Sequence, residues 1–170
     1  MAFNTENETG VHTDVPGQTQ GFTFNHTMVR IVDPQASLNF YTKVFGMRLL
    51  RKVENAGGEF TLYFLATTEG EDVPEDTDER ARYTSAREGV LELTHNWGTE
   101  NDPNASYHNG NDKPQGYGHI CFTVPDLQAA CAWMDENNVT FKKRPEDGRM
   151  SHIAFVIDPD GYWIELVGRS

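Results

Sequence analysis

His26-Thr27-Met28-Val29-Arg30-Ile31-Val32-Asp33 returns in outline as His119-Ile120-Cys121-Phe122-Thr123-Val124-Pro125-Asp126, with His and Asp seven residues apart in both. The alternation in each stretch is the period-2 pattern of a strand with two unlike faces. His26 and Arg30 then share one face of the first strand, and His119, Cys121 and Thr123 one face of the second. Asp33-Pro34 offers a helix cap followed by proline at the first helical position, and Leu38, Tyr41 and Phe45 recur at helical spacing until Gly46 stops the run. Asp126 caps a second helix whose buried side is Leu127, Ala130, Cys131 and Met134. Further strands are expected at 60–65, 90–94, 151–157 and 161–167, the last two joined by the turn Asp158-Pro159-Asp160-Gly161. Both halves close on an acid set among apolar residues, Leu91-Glu92-Leu93 and Ile164-Glu165-Leu166.

A lone strand histidine is most often a structural hydrogen-bonding residue. A buried, unpaired carboxylate is different, because its desolvation costs several kcal/mol unless a cation or strong donors stand beside it. Two His and two Glu at equivalent positions of a duplication supply the nitrogen and oxygen donors of a divalent transition-metal site, which a pseudo-twofold arrangement can bring to one point. The His-to-Glu interval is 20 residues longer in the first half, so an insertion is expected, and 67–87, which holds an acidic cluster and no strand pattern, is its natural place. That cluster reads as a solvated loop. The chain divides into a flexible polar arm (1–21), a first module (22–98), a linker loop (99–117) and a second module (118–170). His12, His95, His108 and His152 lack the paired spacing and read as surface or supporting residues.

With 170 residues the chain can bury a sizeable core. The formal charge of −12 argues against nucleic acid, and no apolar run reaches the roughly 20 residues of a membrane helix. The polar N-terminus lacks a secretory pattern, and the two cysteines, Cys121 and Cys131, suggest no disulfide framework, so a cytoplasmic location is expected. Arg30, Lys142, Lys143, Arg144 and Arg149 are a basic minority that either ends strands in solvent or holds the carboxylates of an anionic substrate.

The segments Glu92-Leu93-Thr94-His95-Asn96-Trp97-Gly98, Ser106-Tyr107-His108-Asn109-Gly110-Asn111, Gly118-His119-Ile120 and Asp158-Pro159-Asp160-Gly161-Tyr162-Trp163-Ile164-Glu165 closely resemble the glyoxalase I family of the vicinal-oxygen-chelate superfamily, over about 22–167. The resemblance implies an α+β fold of two tandem βαβββ modules, in a homodimer whose active sites lie at the subunit interface and draw their two modules from different chains. It makes His26, Glu92, His119 and Glu165 the metal ligands and Glu165 the principal catalytic base; as the repeat partner of Glu165, Glu92 is expected to serve the opposite substrate enantiomer. It also makes Arg30 and Asn96 contacts to the γ-glutamyl end of glutathione, the cosubstrate, and Lys143 a contact to the glycyl carboxylate. This chain has Gln115 where longer members have an arginine assisting Lys143, and Lys142 or Arg144 is expected to compensate. Zinc is expected, because metal preference in the family follows the long insertions more than the first ligand; His26 at that ligand position makes nickel the alternative.

The reaction so implied converts the hemithioacetal of methylglyoxal and glutathione into S-D-lactoylglutathione by proton transfer through an enediolate whose two oxygens the metal holds. Arg149, Met150, Leu62, Phe64 and Phe155 are the candidates for lining the substrate site, the apolar ones competing with a plain core-packing role. Other readings are an extradiol dioxygenase or glutathione-transferring resistance enzyme on the same fold, and a metal-free protein that sequesters a drug. Four protein ligands argue against the dioxygenase, which leaves coordination positions open for oxygen.

Overall fold

Alternation in the first stretch becomes β1 (His26–Ile31), with Val29 and Ile31 buried and His26, Met28 and Arg30 on the open side. The computed structural model describes residues 9–14 and 16–169. Of the polar arm, 1–8 and 15 lie outside the described residues, and Gly17–Thr19 form one 3-10 turn. After β1, the Asp33 carboxylate accepts from the Gln35 amide and Pro34 opens α1 (Pro34–Asn39), as the sequence predicts. The helix continues through a π turn over Phe40–Val44 and ends at Gly46, whose φ of +64° suits a residue without Cβ. Then come β2 (Arg48–Asn55), β3 (Phe60–Ala66), α2 (Thr77–Ser85) and β4 (Val90–Asn96). The second half follows as β5 (His119–Val124), α3 (Leu127–Glu136), β6 (Phe141–Lys143), β7 (Ile153–Ile157) and β8 (Trp163–Gly168).

The two halves make two four-stranded sheets of the same order, β1-β4-β3-β2 and β5-β8-β7-β6. In each, the first strand runs parallel to the last and the other pairs are antiparallel. Registers agree residue by residue: Glu92 lies opposite Met28 and Phe64, and Glu165 opposite Cys121 and Phe155. Period-2 alternation therefore places His26 and Glu92 on one face, and His119 and Glu165 on the matching face of the other sheet.

The opposite faces merge under the helices into one core that includes Ile31, Tyr41, Leu65 and Leu93 from the first half and Met134, Val156, Ile164 and Leu166 from the second. Phe45 and Phe122 meet across the module boundary at 4.6 Å between ring centroids. A buried polar joint crosses the same boundary. The Tyr41 hydroxyl donates to Asp158 at 2.7 Å, and Asp160 accepts from the Val32 amide at 2.7 Å and the Ser37 hydroxyl at 3.0 Å. The turn at 158–161 is thus both a hairpin connection and the anchor of α1. Among the described residues no helix is long and apolar enough to cross a membrane.

Two departures from expectation concern charge. Periodicity alone does not locate β2 or β6: β2 is an edge strand carrying exposed Arg48, Arg51, Lys52 and Glu54, and β6 has three residues. The acidic segment 67–87 is more than a solvated loop, because Asp76 caps α2 by accepting from the Asp78 and Glu79 amides. Glu71 is gripped by Arg87 and by the Tyr83 hydroxyl, and these bonds, the arginine first, hold its carboxyl down to about 2. In the linker, Gly110 has φ +84° and a Cβ there would fall 2.3 Å from the Tyr117 carbonyl oxygen, so only glycine fits.

Burial raises the Asp158 carboxyl from 3.8 to about 6, against the opposing bonds from Tyr41 and the Tyr162 and Asp160 amides. The folded state therefore keeps a proton that the unfolded state has released, and this contribution to stability is lost as pH rises from about 4 to about 6. Asp158→Asn should remove that slope. Urea unfolding at pH 4 and pH 7 should show the gap between wild type and variant changing by on the order of 2 kcal/mol in the variant's favour at the higher pH.

Candidate metal and substrate site

Parallel pairing of β1 with β4 sets the His26 imidazole beside the Glu92 carboxylate, Nε2 to Oε2 3.0 Å. Parallel pairing of β5 with β8 does the same for His119 and Glu165, at 3.2 Å. A phenylalanine edge supports each imidazole: His26 against Phe64 at 5.8 Å and 86°, His119 against Phe155 at 5.1 Å and 78°. Both histidine side chains are 40% exposed while their carboxylates are 12% and 18% exposed, so each pair sits in its sheet with the nitrogen toward the open side. Glu92 also accepts from the Thr94 hydroxyl at 3.2 Å.

His26 and His119 border one cleft of about 580 Å³ between the edge strands β1 and β5, together with Phe24, Asn25, Tyr117 and Cys121. Even so, no three or more His, Cys, Asp or Glu side chains converge to hold a metal among the described residues. One chain presents two half-sites of two donors each, and the four residues do not meet at a single point within it.

The chemistry of the first half-site fits a cation. The Asn25 side-chain oxygen lies 2.6 Å from His26 Nδ1, so the hydrogen of a neutral ring sits on Nδ1 and Nε2 turns a lone pair toward the Glu92 carboxylate. Two acceptors 3.0 Å apart repel unless a positive charge, a proton or a metal ion, lies at the nitrogen. Cys121 faces the same side as Glu165, but desolvation and then the Glu165 carboxylate push its thiol up to about 11, so it is a neutral neighbour.

The residues expected around substrate fall into two groups. Arg30 donates to the Asn96 side-chain oxygen at 3.5 Å, and the Asn96 amide donates to the Tyr107 hydroxyl at 3.2 Å. Tyr107, in the linker, therefore joins the polar end of the first half-site; its motif is visible in the sequence but periodicity gives it no partner. Leu62 and Phe64 are half-buried on the His26 side of β3, and Phe155 is half-buried beside His119. Met150 and Arg149 are exposed on the loop between β6 and β7. The Lys143 ammonium donates to the carbonyls of Arg144, Met150 and Ile153, which ties that loop down. Arg144 is held by Asp135 at 2.6 and 3.0 Å, whereas the Lys142 ammonium lies 5.0 Å from the Trp163 ring. His95, expected at the surface or in support, is buried with Nε2 2.7 Å from Glu100.

Two βαβββ sheets, each with an imidazole and a carboxylate in register on its open face, are the architecture of vicinal-oxygen-chelate proteins. Residues 23–166 match the sequence family described as the Glyoxalase/Bleomycin resistance protein/Dioxygenase superfamily. A lactoylglutathione lyase of Pseudomonas aeruginosa is 55% identical over 170 residues, covering 100% of this chain and 96% of that one. A lactoylglutathione lyase of Schizosaccharomyces pombe is 49% identical over 88% of this chain and 48% of its own length. The solved trypanothione-dependent glyoxalase I of Leishmania major superposes with a TM-score of 0.64 at 34% identity, over 86% of each chain. The chain belongs to this superfamily and, within it, to the lactoylglutathione lyase (glyoxalase I) family of lyases.

Because Thr94 donates to a carboxylate that is nearly out of water, Thr94→Val keeps the shape and deletes the bond. Metal-free protein carrying this change should lose about 1–3 kcal/mol in chemical denaturation. A loss below a few tenths would show that Glu92 does not depend on that hydroxyl.

Proposed function

We propose that this protein isomerises the hemithioacetal of methylglyoxal and glutathione to S-D-lactoylglutathione, a detoxification of methylglyoxal in the cytoplasm. The observation that carries the reading is the duplicated His–Glu pair in identical register on two open sheet faces. Likeness along the whole chain to a lactoylglutathione lyase supports the choice of substrate. The proposed active form is a homodimer in which the first module (22–98) of one chain faces the second module (118–170) of its partner. Support for it comes from each chain holding two half-sites, and from the exposure of Met28, Trp97 and Met150.

In this arrangement His26 and Glu92 of one chain and the His119 and Glu165 positions of the other would hold one divalent ion, zinc rather than nickel. Such an ion would supply Lewis acidity, worth several kcal/mol to the negative charge that develops on substrate during proton transfer. Glu165 removes the proton from one substrate carbon and returns it to the next, and Glu92 is assigned the same role for the opposite enantiomer. Leu62, Phe64, Met150 and Phe155 exclude water while the proton is in transit. Arg30 and Asn96 hold the γ-glutamyl end. Lys143 is assigned to the glycyl carboxylate with Arg149 nearby, which requires its ammonium to exchange a loop carbonyl for a carboxylate oxygen. A dioxygenase or a drug-sequestering protein shares the fold, but neither accounts for four matched donors.

Glu165→Gln should lower kcat by about 10²–10⁴ or more with the fold intact, read by thioester absorbance and circular dichroism; near-normal turnover rules out Glu165 as base. Removing metal with a chelator should abolish activity, and zinc should restore it. Subunit sharing has its own test. His26→Ala and Glu165→Gln proteins, each inactive, should regain about a quarter of wild-type activity when unfolded together and refolded, because half the dimers are mixed and each mixed dimer has one intact site. Sites built within one chain would give no recovery.

A further inference from the structure

The two half-sites match in register but not in what stands behind the imidazole. Asn25, the residue before His26, uses both ends of its amide. Its nitrogen lies 2.9 Å from the Thr84 carbonyl oxygen, 3.3 Å from that of Ser85 and 2.8 Å from that of Arg87. Carbonyls only accept, so the nitrogen belongs on that side and the oxygen must face His26 Nδ1, where it lies at 2.6 Å. Nδ1 is therefore the hydrogen-bearing nitrogen and Nε2 is directed at the position beside Glu92. The residue before His119 is Gly118, which has no side chain to do this, and its carbonyl is taken by the Asn111 amide at 2.8 Å. Among the described residues no hydrogen bond reaches His119 Nδ1.

We infer that Asn25 is a positioning residue that fixes the tautomer and direction of the first metal-binding histidine and ties it to the end of the 67–87 insertion. The inference rests on the metal-site reading given above. Thr84 is in α2 and Arg87 just beyond it, and Arg87 is itself locked to Glu71 in the same segment. The insertion that lengthens the first module thus ends in a row of carbonyls that the Asn25 amide ties to the first half-site. An imidazole whose remote N–H is held binds a metal with its ring already oriented, and loss of such a partner typically lowers metal affinity about 10- to 100-fold. His26 should feel that loss, and His119 has no equivalent partner to lose.

Two substitutions separate the jobs of the amide. Asn25→Ala deletes both; Asn25→Asp keeps an acceptor for Nδ1 and cannot donate to Thr84 and Arg87. Zinc dissociation constants by chelator competition, the visible absorption of cobalt-loaded protein, and the melting temperature of metal-free protein read them out. Asn25→Ala should bind zinc about 10- to 100-fold more weakly with altered cobalt bands. Asn25→Asp should melt as low as Asn25→Ala when metal-free, yet bind zinc within about threefold of wild type with unchanged bands. Equal weakening in both variants would mean that the amide only clamps the insertion, and undiminished affinity in Asn25→Ala would dismiss the inference outright. A His26→Ala control keeps the two ideas apart: if it binds zinc as wild type does, the metal site itself is misassigned; if it alone loses zinc, only the role of Asn25 falls.

Discussion

Parallel pairing between the first and last strands of each module is the constraint on which the rest of this structure depends. A parallel ladder needs a crossover, and α1 and α3 supply it on one side of each sheet, leaving the other side open. With the register set, a histidine near the start of the first strand and a glutamate in the last can only be neighbours on the open side. A slip of one residue would send Glu92 or Glu165 into the core beside Leu93 or Leu166, where a carboxylate could not be solvated. Packing thus enforces the same pairing that the chemistry uses.

The helix-covered faces are fully committed to one another. Tyr41, Ser37, Asp158 and Asp160 bolt the two modules together through a buried polar joint, and Phe45 and Phe122 close the apolar part. The open faces carry what the core does not need: imidazoles, half-buried phenylalanines and exposed methionines.

Charge explains where reading the sequence falls short. The edge strand β2 intersperses cations among apolar residues without a period-2 pattern, which protects an unpaired edge from aggregation and also blurs its strand signal. Glu71 reads as one of many solvated acids, and only the fold reveals Arg87 and Tyr83 within reach. Lys143 and Arg144 look alike as free cations, yet one caps a loop and the other is paired with Asp135. Long flexible side chains choose partners from whatever the fold brings near, so their pairings carry no periodic trace.

The sequence by itself determined the duplication, the helix caps at Asp33 and Asp126, the glycine stops and the paired placement of His26 with Glu92 and of His119 with Glu165, the four residues proposed as metal donors. These are local properties, set by period, capping chemistry and the cost of burying a charge. Tertiary structure alone decided that each chain gathers those donors as two separated pairs, that Tyr107 joins Asn96, and that Asn25 links the inserted segment to His26. Such relations join residues far apart along the chain, and a distance in space becomes fixed only when the sheets and the shared core have packed.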